Sequence, residues 1–251
     1  MIDLDKTQNF SAFNAYRMAE LSESAYLGRD EFSQYAKSWG MEFEPFDMTE
    51  TECYLAWDEG NLLLVFRGTE SYEIDDWLTD VRIRKVGGIH RGFKEALDKV
   101  WKPLSKLIKE KRKTRPLIIT GHSLGGALAQ LASLRSFPEL IYTFGSPRAM
   151  DLKTAKGYDK LLGNVTHRVV NRLDFVPRLP PRALNYSHVG QLAHISHDDR
   201  IRHGEGIWQA LLDGLASSTT SAIDRFIELK RIDLAGDHSI GAYKQSLARA
   251  V

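Results

Sequence analysis

The sequence predicts an α/β fold in which helices cover a central, mostly parallel mixed sheet. Three observations support this: short apolar strand patterns alternate with amphipathic helix patterns, a hairpin pattern precedes them, and the chain of 251 residues is long enough for one large α/β domain. No repeat, low-complexity segment or linker divides the sequence. We therefore expect a single domain over residues 1–251.

The first half of the chain contains one hairpin pattern between two helix patterns. Apolar residues at helical spacing predict a helix over residues 10–26. Two apolar stretches, 53–57 and 62–66, flank the turn-forming segment 58–61 and predict a β-hairpin. Residues 93–111 then form a long amphipathic helix pattern, whose basic end suits the negative end of the helix dipole.

Strand and helix patterns continue through the second half. Residues 117–120 are apolar and β-branched, which predicts a buried strand, and a helix rich in small residues opens after it. The remaining predicted elements are strands over 141–144 and 168–171, a helix over 208–230 that is broken near residues 217–220, and a final helix over 242–250.

Composition excludes several classes of partner. Lys and Arg number 34 against 33 Asp and Glu, and this net charge of +1 gives no reason to expect nucleic acid or an anionic membrane. Cys53 is the single cysteine, which rules out an intrachain disulfide.

No apolar run approaches the ~18 residues that span a bilayer, and the chain start lacks a signal-peptide pattern. We expect a cytoplasmic protein, or one exported without a cleaved signal peptide.

Residues 121–126, Gly-His-Ser-Leu-Gly-Gly, fit the Gly-x-Ser-x-Gly pattern of a nucleophile elbow. The strand before this segment and the helix after it place Ser123 on a sharp turn, with its hydroxyl expected to be exposed above the sheet. Gly121 and Gly125 allow neighbouring backbone to approach the turn closely. We interpret Ser123 as an activated nucleophile; the alternative is an ordinary turn.

A nucleophile of this kind needs an acid and then a histidine later in the chain. Asp174 follows the predicted 168–171 strand and enters a proline-rich loop with few accessible conformations. His238 lies in a glycine-bearing loop before the final helix. His90 and His122 are excluded by chain order or by position inside the motif. On pattern alone, the other later histidines stay open as candidates: His167, His188, His194, His197 and His203.

Residues 187–237 are rich in His, Asp and Arg and have two interpretations. One is a metal site, whose candidate ligands are His194, His197, Asp198, Asp199 and His203. Their spacing fits no standard zinc or calcium site, and serine-based chemistry needs no metal. We favour a solvated loop and expect neither a metal nor another cofactor.

Several motifs in the right order resemble the class 3 lipases, the family that includes the fungal triacylglycerol lipases. The resemblance covers roughly residues 12–247. The segments that carry it are residues 66–70, 76–80, 90–93, 121–127, 142–148, 170–181 and 237–239, together with Tyr243 and Leu247.

The resemblance implies an α/β-hydrolase fold with a Ser123, Asp174 and His238 triad. It also implies an oxyanion hole formed by Thr69 and the backbone N–H of Leu124. The implied activity is hydrolysis of carboxylic esters of lipids, like that of a triacylglycerol lipase, through an acyl-enzyme. Phospholipase A1 and short-chain carboxylesterase activity stay open as alternatives. A non-catalytic, lipase-like signalling or binding module is the alternative from a different class.

A short amphipathic helix is predicted directly after the expected oxyanion loop. Ile74, Trp77, Leu78 and Val81 recur at the i, i+3, i+4, i+7 spacing of one apolar stripe. The stripe fits a surface helix packed permanently on the core, or a lid that covers the nucleophile in water and meets lipid at an interface. The family resemblance favours the lid. We therefore expect a lipid or other ester substrate, with transient contact to a lipid interface.

Overall fold

A mixed β-sheet forms the centre of the protein. The computed structural model describes residues 3–48, 51–68, 84–204 and 234–251. In chain order the strands of these residues are β1 (Glu42–Met48), β2 (Thr51–Trp57), β3 (Leu62–Phe66), β4 (Lys85–Val86), β5 (Ile89–His90), β6 (Leu117–His122), β7 (Leu140–Phe144), β8 (Met150–Asp151), β9 (Thr166–Asn171), β10 (Tyr186–Ser187), β11 (Gln191–Ile195) and β12 (Ile201–His203).

Helices cover both faces of this sheet. In chain order the described α-helices are α1 (Ala12–Ser24), α2 (Arg29–Ser38), α3 (Arg91–Arg112), α4 (Leu124–Ser136), α5 (Leu152–Leu162), α6 (Leu234–His238) and α7 (Ile240–Ala250). Side-chain oxygens of Ser11, Asp151 and Ser239 accept backbone N–H groups in the first turns of α1, α5 and α7. These caps fix where the three helices begin. None of the helices in the described ranges is long and apolar enough to cross a membrane.

The main sheet confirms the predicted, mostly parallel arrangement. Within the described residues it has eight strands in the spatial order β1-β2-β3-β6-β7-β9-β11-β12. The central pairs β3–β6, β6–β7, β7–β9 and β9–β11 are parallel, and the outer pairs are antiparallel. The carboxyl ends of the parallel strands therefore meet at one edge, where ligands bind in open α/β sheets.

Strand β3 shows how the sheet separates two apolar cores. Leu62, Leu64 and Phe66 pack into the core beneath α3 and α4. Leu63 and Val65 pack into the opposite core, which contains residues of α1 and α7. Alternate side chains of a strand point to opposite faces, so both faces of a covered sheet must be apolar. This explains why β3 is a continuous apolar run.

The predicted hairpin forms around the predicted turn. Strands β2 and β3 pair antiparallel, with Trp57 opposite Leu62. The Asp58 carboxylate accepts the backbone N–H groups of Gly60 and Asn61 at 2.8 and 2.7 Å. These local bonds provide the turn that the sequence 58–61 indicates.

The structure corrects the interpretation of residues 187–204 as a solvated loop. Strand β11 lies beside β9 in the main sheet, and its Leu192, Ala193 and Ile195 are buried. His194 is also buried and donates from Nε2 to the Arg172 carbonyl at 2.9 Å. Satisfying the imidazole in this way lets a polar residue occupy a buried strand. The predicted helix over 208–230 lies outside the described residues.

Candidate active site

Ser123 lies on the predicted turn between β6 and α4. Its backbone has φ 55° and ψ −127°, a positive-φ conformation that costs a non-glycine residue roughly 1–3 kcal/mol. The Ser123 N–H donates to the Phe144 carbonyl of β7 at 2.9 Å, and its carbonyl accepts the Gly126 N–H at 3.0 Å. Contacts from the sheet and from the helix therefore hold the strained turn.

The two glycines of the motif are required by close backbone contacts. A Cβ on Gly121 would lie 2.4 Å from the carbonyl carbon and oxygen of Gly125. A Cβ on Gly125 would lie 2.2 Å from the carbonyl oxygen of Phe66, at the end of β3. Real Cβ atoms do not approach backbone this closely, so only glycine allows the elbow to fold back onto β6 and β3.

The structure brings Ser123, His238 and Asp174 into one chain of contacts. His238 Nε2 lies 3.0 Å from the Ser123 hydroxyl oxygen. His238 Nδ1 lies 2.9 Å from both carboxylate oxygens of Asp174. All three residues are buried, with relative exposures of 0%, 5% and 1% in the order Ser123, His238, Asp174. Residues far apart in the chain thus form a serine–imidazole–carboxylate arrangement with hydrogen-bond distances throughout.

The contacts of His238 determine which of its ring nitrogens carries the hydrogen. The Asp174 carboxylate accepts hydrogen bonds, so Nδ1 carries the hydrogen and donates to it. Nε2 then presents a lone pair to the Ser123 hydroxyl. This is the tautomer that a base needs in order to take the hydroxyl proton.

Tyr243 of α7 supports the acid, a contact that the sequence analysis did not anticipate. Its hydroxyl donates to Asp174 Oδ2, while the backbone N–H of Val176 donates to Oδ1 at 3.0 Å. Burial, and then the charge of Asp174, raise the pKa of Tyr243 well above its ordinary value. The phenol therefore stays a donor and fixes the carboxylate orientation.

Two local expectations about these residues were wrong. His238 ends the short helix α6, where a loop was expected, and the Asn171 side chain holds this helix by donating to the Asp237 carbonyl at 3.1 Å. The Ser123 hydroxyl was expected to be exposed, yet the residue is fully buried. The His238 ring lies against it on one side and β7 contacts its backbone on the other.

The structure describes one of the two predicted oxyanion donors, Leu124, and not the other. Leu124 begins α4, so its backbone N–H belongs to the first helical turn, which has no acceptor within the helix. Thr69 lies outside the described residues, as do the predicted lid residues Ile74, Trp77, Leu78 and Val81. Gly68 is described, and a Cβ there would lie 2.5 Å from the His122 carbonyl oxygen. The chain leading to Thr69 therefore passes directly beside the elbow.

Three of the other candidate histidines, His167, His188 and His194, face backbone carbonyls away from Ser123. Nε2 of His167 lies 3.0 Å from the Gln8 carbonyl, and Nε2 of His188 lies 2.6 Å from the Pro177 carbonyl. Among the proposed metal ligands, Asp199 forms ion pairs with Arg172 and Arg249. The part of the chain that the structure describes contains no group of three or more His, Cys, Asp or Glu residues arranged to hold a metal ion.

Comparison with known proteins gives a family match over the middle of the chain. Residues 63–184 match the family described as Lipase (class 3). This part of the chain is similar to the class 3 lipases. The matched region includes Ser123 and Asp174, whereas His238 lies beyond its end.

Curated lipases match about half of the chain. A lipase of Rhizomucor miehei is 34% identical over 152 residues, which are 53% of this chain and 41% of that protein. A secreted mono- and diacylglycerol lipase of Malassezia globosa is 31% identical over 154 residues, 52% of this chain and 50% of that protein. The chain thus spans half or less of the length of these relatives.

Solved lipase structures show the α/β-hydrolase fold. A triacylglycerol lipase described as having a serine protease triad at its catalytic centre matches with a TM-score of 0.65 at 21% identity. That match covers 79% of this chain and 89% of the other. Lipase II from Rhizopus niveus matches with a TM-score of 0.65 at 24% identity, covering 73% of this chain and 80% of that chain. The region that matches the class 3 lipases therefore lies on the fold that the sequence motifs imply.

Proposed function

We propose that this protein is a serine hydrolase that cleaves carboxylic esters, with Ser123 as nucleophile, His238 as base and Asp174 as the acid that orients the base. The observation that carries the proposal is the contact chain from the Ser123 hydroxyl through the His238 ring to the Asp174 carboxylate. A strained serine held beside an unprotonated imidazole nitrogen is the arrangement that acyl transfer requires.

In the proposed reaction, the Ser123 oxygen attacks the ester carbonyl carbon while its proton moves to His238 Nε2. The carbonyl oxygen becomes an oxyanion, which the backbone N–H of Leu124 and a donor from Thr69 stabilise; one such donor is worth about 2.7–4 kcal/mol. Collapse of this intermediate breaks the ester bond, and the leaving alcohol takes the proton from His238. Water then attacks the acyl-enzyme by the same route and releases the carboxylic acid.

Lipid esters are the proposed substrate class. The relatives include proteins named as mono- and diacylglycerol lipases, from Malassezia globosa and Fusarium solani, and these names support an acylglycerol substrate. Both names also contain the word secreted, which supports an exported protein over a cytoplasmic one. Phospholipase A1 and short-chain carboxylesterase activity are the competing specificities.

A substrate panel tests this proposal. Hydrolysis rates of p-nitrophenyl esters of increasing acyl length, an acylglycerol emulsion and a phosphatidylcholine emulsion are compared, with Ser123→Ala as the blank for each. We expect Ser123-dependent release of fatty acid from the acylglycerol. Hydrolysis of p-nitrophenyl acetate alone would instead identify a short-chain esterase. The absence of hydrolysis with every ester would contradict the proposal.

We further propose that the stripe of Ile74, Trp77, Leu78 and Val81 is a lid over the site. Uncovering such side chains in water costs roughly 1.5–3 kcal/mol each, and contact with lipid offsets that cost. The rate on tributyrin is therefore expected to rise sharply above its solubility limit. Trp77→Ser is expected to reduce the rate on the emulsion more than the rate on soluble p-nitrophenyl acetate.

Leu161→Ser provides a matched control for the lid test, because Leu161 is an exposed apolar residue on α5 with 65% relative exposure. This change is expected to leave the ratio of the two rates as it is in the wild type. A smooth hyperbolic rate curve through the solubility limit, with Trp77→Ser lowering both rates equally, would show that the segment is ordinary surface structure.

A further inference from the structure

His122, inside the elbow motif, connects the proposed nucleophile to the segment that carries the proposed base. Its Nε2 lies 2.6 Å from the backbone carbonyl oxygen of His238. Its Nδ1 lies 2.8 Å from the hydroxyl of Tyr26, in the turn that follows α1. His122 is buried, and its ring centroid lies 4.6 Å from that of His238. The residue next to Ser123 thus contacts the base through the main chain.

The two partners determine which ring nitrogen of His122 carries the hydrogen. A backbone carbonyl oxygen can only accept, so Nε2 must donate to the His238 carbonyl. Nδ1 of a neutral ring is then an acceptor, and the Tyr26 hydroxyl donates to it. The His238 carbonyl therefore selects the tautomer in which Nε2 is the donor, and the Tyr26 hydroxyl complements it by donating to Nδ1.

We propose that His122, held in this tautomer by the His238 carbonyl and the Tyr26 hydroxyl, is a positioning residue that sets the distance between the Ser123 hydroxyl and the His238 ring. This inference rests on the proposed function of Ser123 and His238. His122 does not touch the reacting atoms. It acts by fixing the main chain from which the His238 side chain projects.

The other contacts of the His238 segment show why this bond matters. Asn171 Nδ2 donates to the Asp237 carbonyl at 3.1 Å, and the backbone N–H of Leu173 donates to the Asp237 carboxylate at 3.3 Å. Both bonds connect the segment to the strand end and loop that carry Asp174. The His122 bond, in contrast, connects it to the turn that carries Ser123. The base is therefore held to its acid by one set of contacts and to its nucleophile by another.

The uncharged state of His122 also suits its position. Burial, and then the proximity of His238, lower the pKa of His122 well below its ordinary value, which outweighs the opposing effect of the hydrogen bond to the His238 carbonyl. When His238 takes the serine proton it becomes a cation. A neutral neighbour 4.6 Å away between ring centroids does not repel that charge.

Replacing His122 with glutamine or with asparagine distinguishes a positioning role from simple filling of the core. The amide nitrogen of glutamine lies four bonds from Cα, like Nε2, whereas that of asparagine lies three bonds away, like Nδ1. His122→Gln can therefore still donate to the His238 carbonyl, and His122→Asn cannot reach it. Both changes remove the buried ring, so they share any cost of lost packing.

Turnover of p-nitrophenyl butyrate tests the proposal. Because misplacement of a reacting group by about 1 Å costs roughly 10²-fold in rate, kcat of His122→Asn is expected to fall about that far with little change in KM. His122→Gln is expected to recover most of the loss, and Tyr26→Phe to lose less than His122→Asn. His167→Asn is the matched control, because His167 is another buried histidine whose Nε2 faces a backbone carbonyl; its kcat is expected to stay unchanged.

Wild-type turnover, measured first, separates failure of the proposed function from failure of this inference. If the wild type is active, equal kcat for His122→Gln and His122→Asn in folded proteins would overturn the positioning role. Nitrogen-15 NMR of the histidine rings gives a second readout that needs no activity. The His122 ring is expected to be neutral and protonated at Nε2 throughout the pH range of the folded state. A cationic ring, or one protonated at Nδ1, would overturn the inference.

Discussion

Replacing Ser123 with alanine is expected to lower kcat for ester hydrolysis by roughly 10⁵-fold or more, because removing a serine nucleophile costs that much in related chemistry. The fold is expected to remain intact. Although the hydroxyl is buried, its contact is with His238 Nε2, and alanine keeps the backbone bonds to β7 and α4. The measurement is steady-state hydrolysis of a p-nitrophenyl ester, with thermal unfolding of the same samples.

Ser133→Ala is the matched control for this variant. Ser133 is also buried and lies on the same helix, α4, where its hydroxyl contacts Tyr158 at 2.9 Å. Losing that bond is expected to cost about 1 kcal/mol of stability without changing kcat. A Ser123→Ala protein that kept a tenth of wild-type turnover would remove Ser123 from the mechanism.

The second large effect is expected at His238. His238→Ala removes the group that takes the serine proton, and loss of several orders of magnitude in kcat is expected, as for other triad deletions. The serine should also lose its reactivity toward acylating reagents, because no other described histidine has a ring nitrogen beside its hydroxyl. Turnover and the rate of serine modification together measure this loss.

His194→Ala is the comparison for the histidine prediction. His194 is also buried, but its Nε2 donates to the Arg172 carbonyl and does not contact the Ser123 hydroxyl. This variant is expected to lose stability, because the half-buried Arg172 carbonyl then loses this donor, while kcat stays close to the wild-type value. His188→Ala provides a second comparison, and an inactive His188→Ala beside an active His238→Ala would show that the base is assigned to the wrong histidine.

The parts of the fold that the sequence predicts well are those with local patterns. The hairpin of β2 and β3 has its turn chemistry within residues 58–61. The elbow strand and helix follow directly from an apolar run, three glycines and a helix rich in small residues. In both cases the residues that indicate the structure lie within a short window of sequence, although the elbow is also held by bonds to β7.

Other elements were missed for identifiable physical reasons. Helix α5 was not among the predicted elements, although it has a helical signal in its buried stripe of Ala155, Tyr158 and Leu162 and its Asp151 cap. Strand β11 is harder to predict, because a histidine inside the strand argues against burial. In the structure, His194 is buried because its Nε2 donates to the Arg172 carbonyl. Such a partner, in the turn just after β9, is decided by tertiary structure and cannot be read from local sequence.

The same distinction applies to the site. Chain order limits the acid and base to a few residues, and the structure brings Asp174 and His238 to Ser123. Their catalytic roles remain predictions. Tyr243 and His122 could not be identified in this way, because their contacts join residues 69 and 116 positions apart. A histidine inside the Gly-x-Ser-x-Gly motif gives no sign that its ring reaches the main chain of another histidine.

Fluorophosphonate labelling of the folded protein, followed by peptide mass spectrometry, tests the central claim most directly, because the reagent modifies only a serine activated by a neighbouring base. We predict labelling of Ser123, with no labelling of that serine after denaturation or in His238→Ala. An unlabelled native protein, or a label on a different serine, would contradict the assignment of Ser123 as an activated nucleophile.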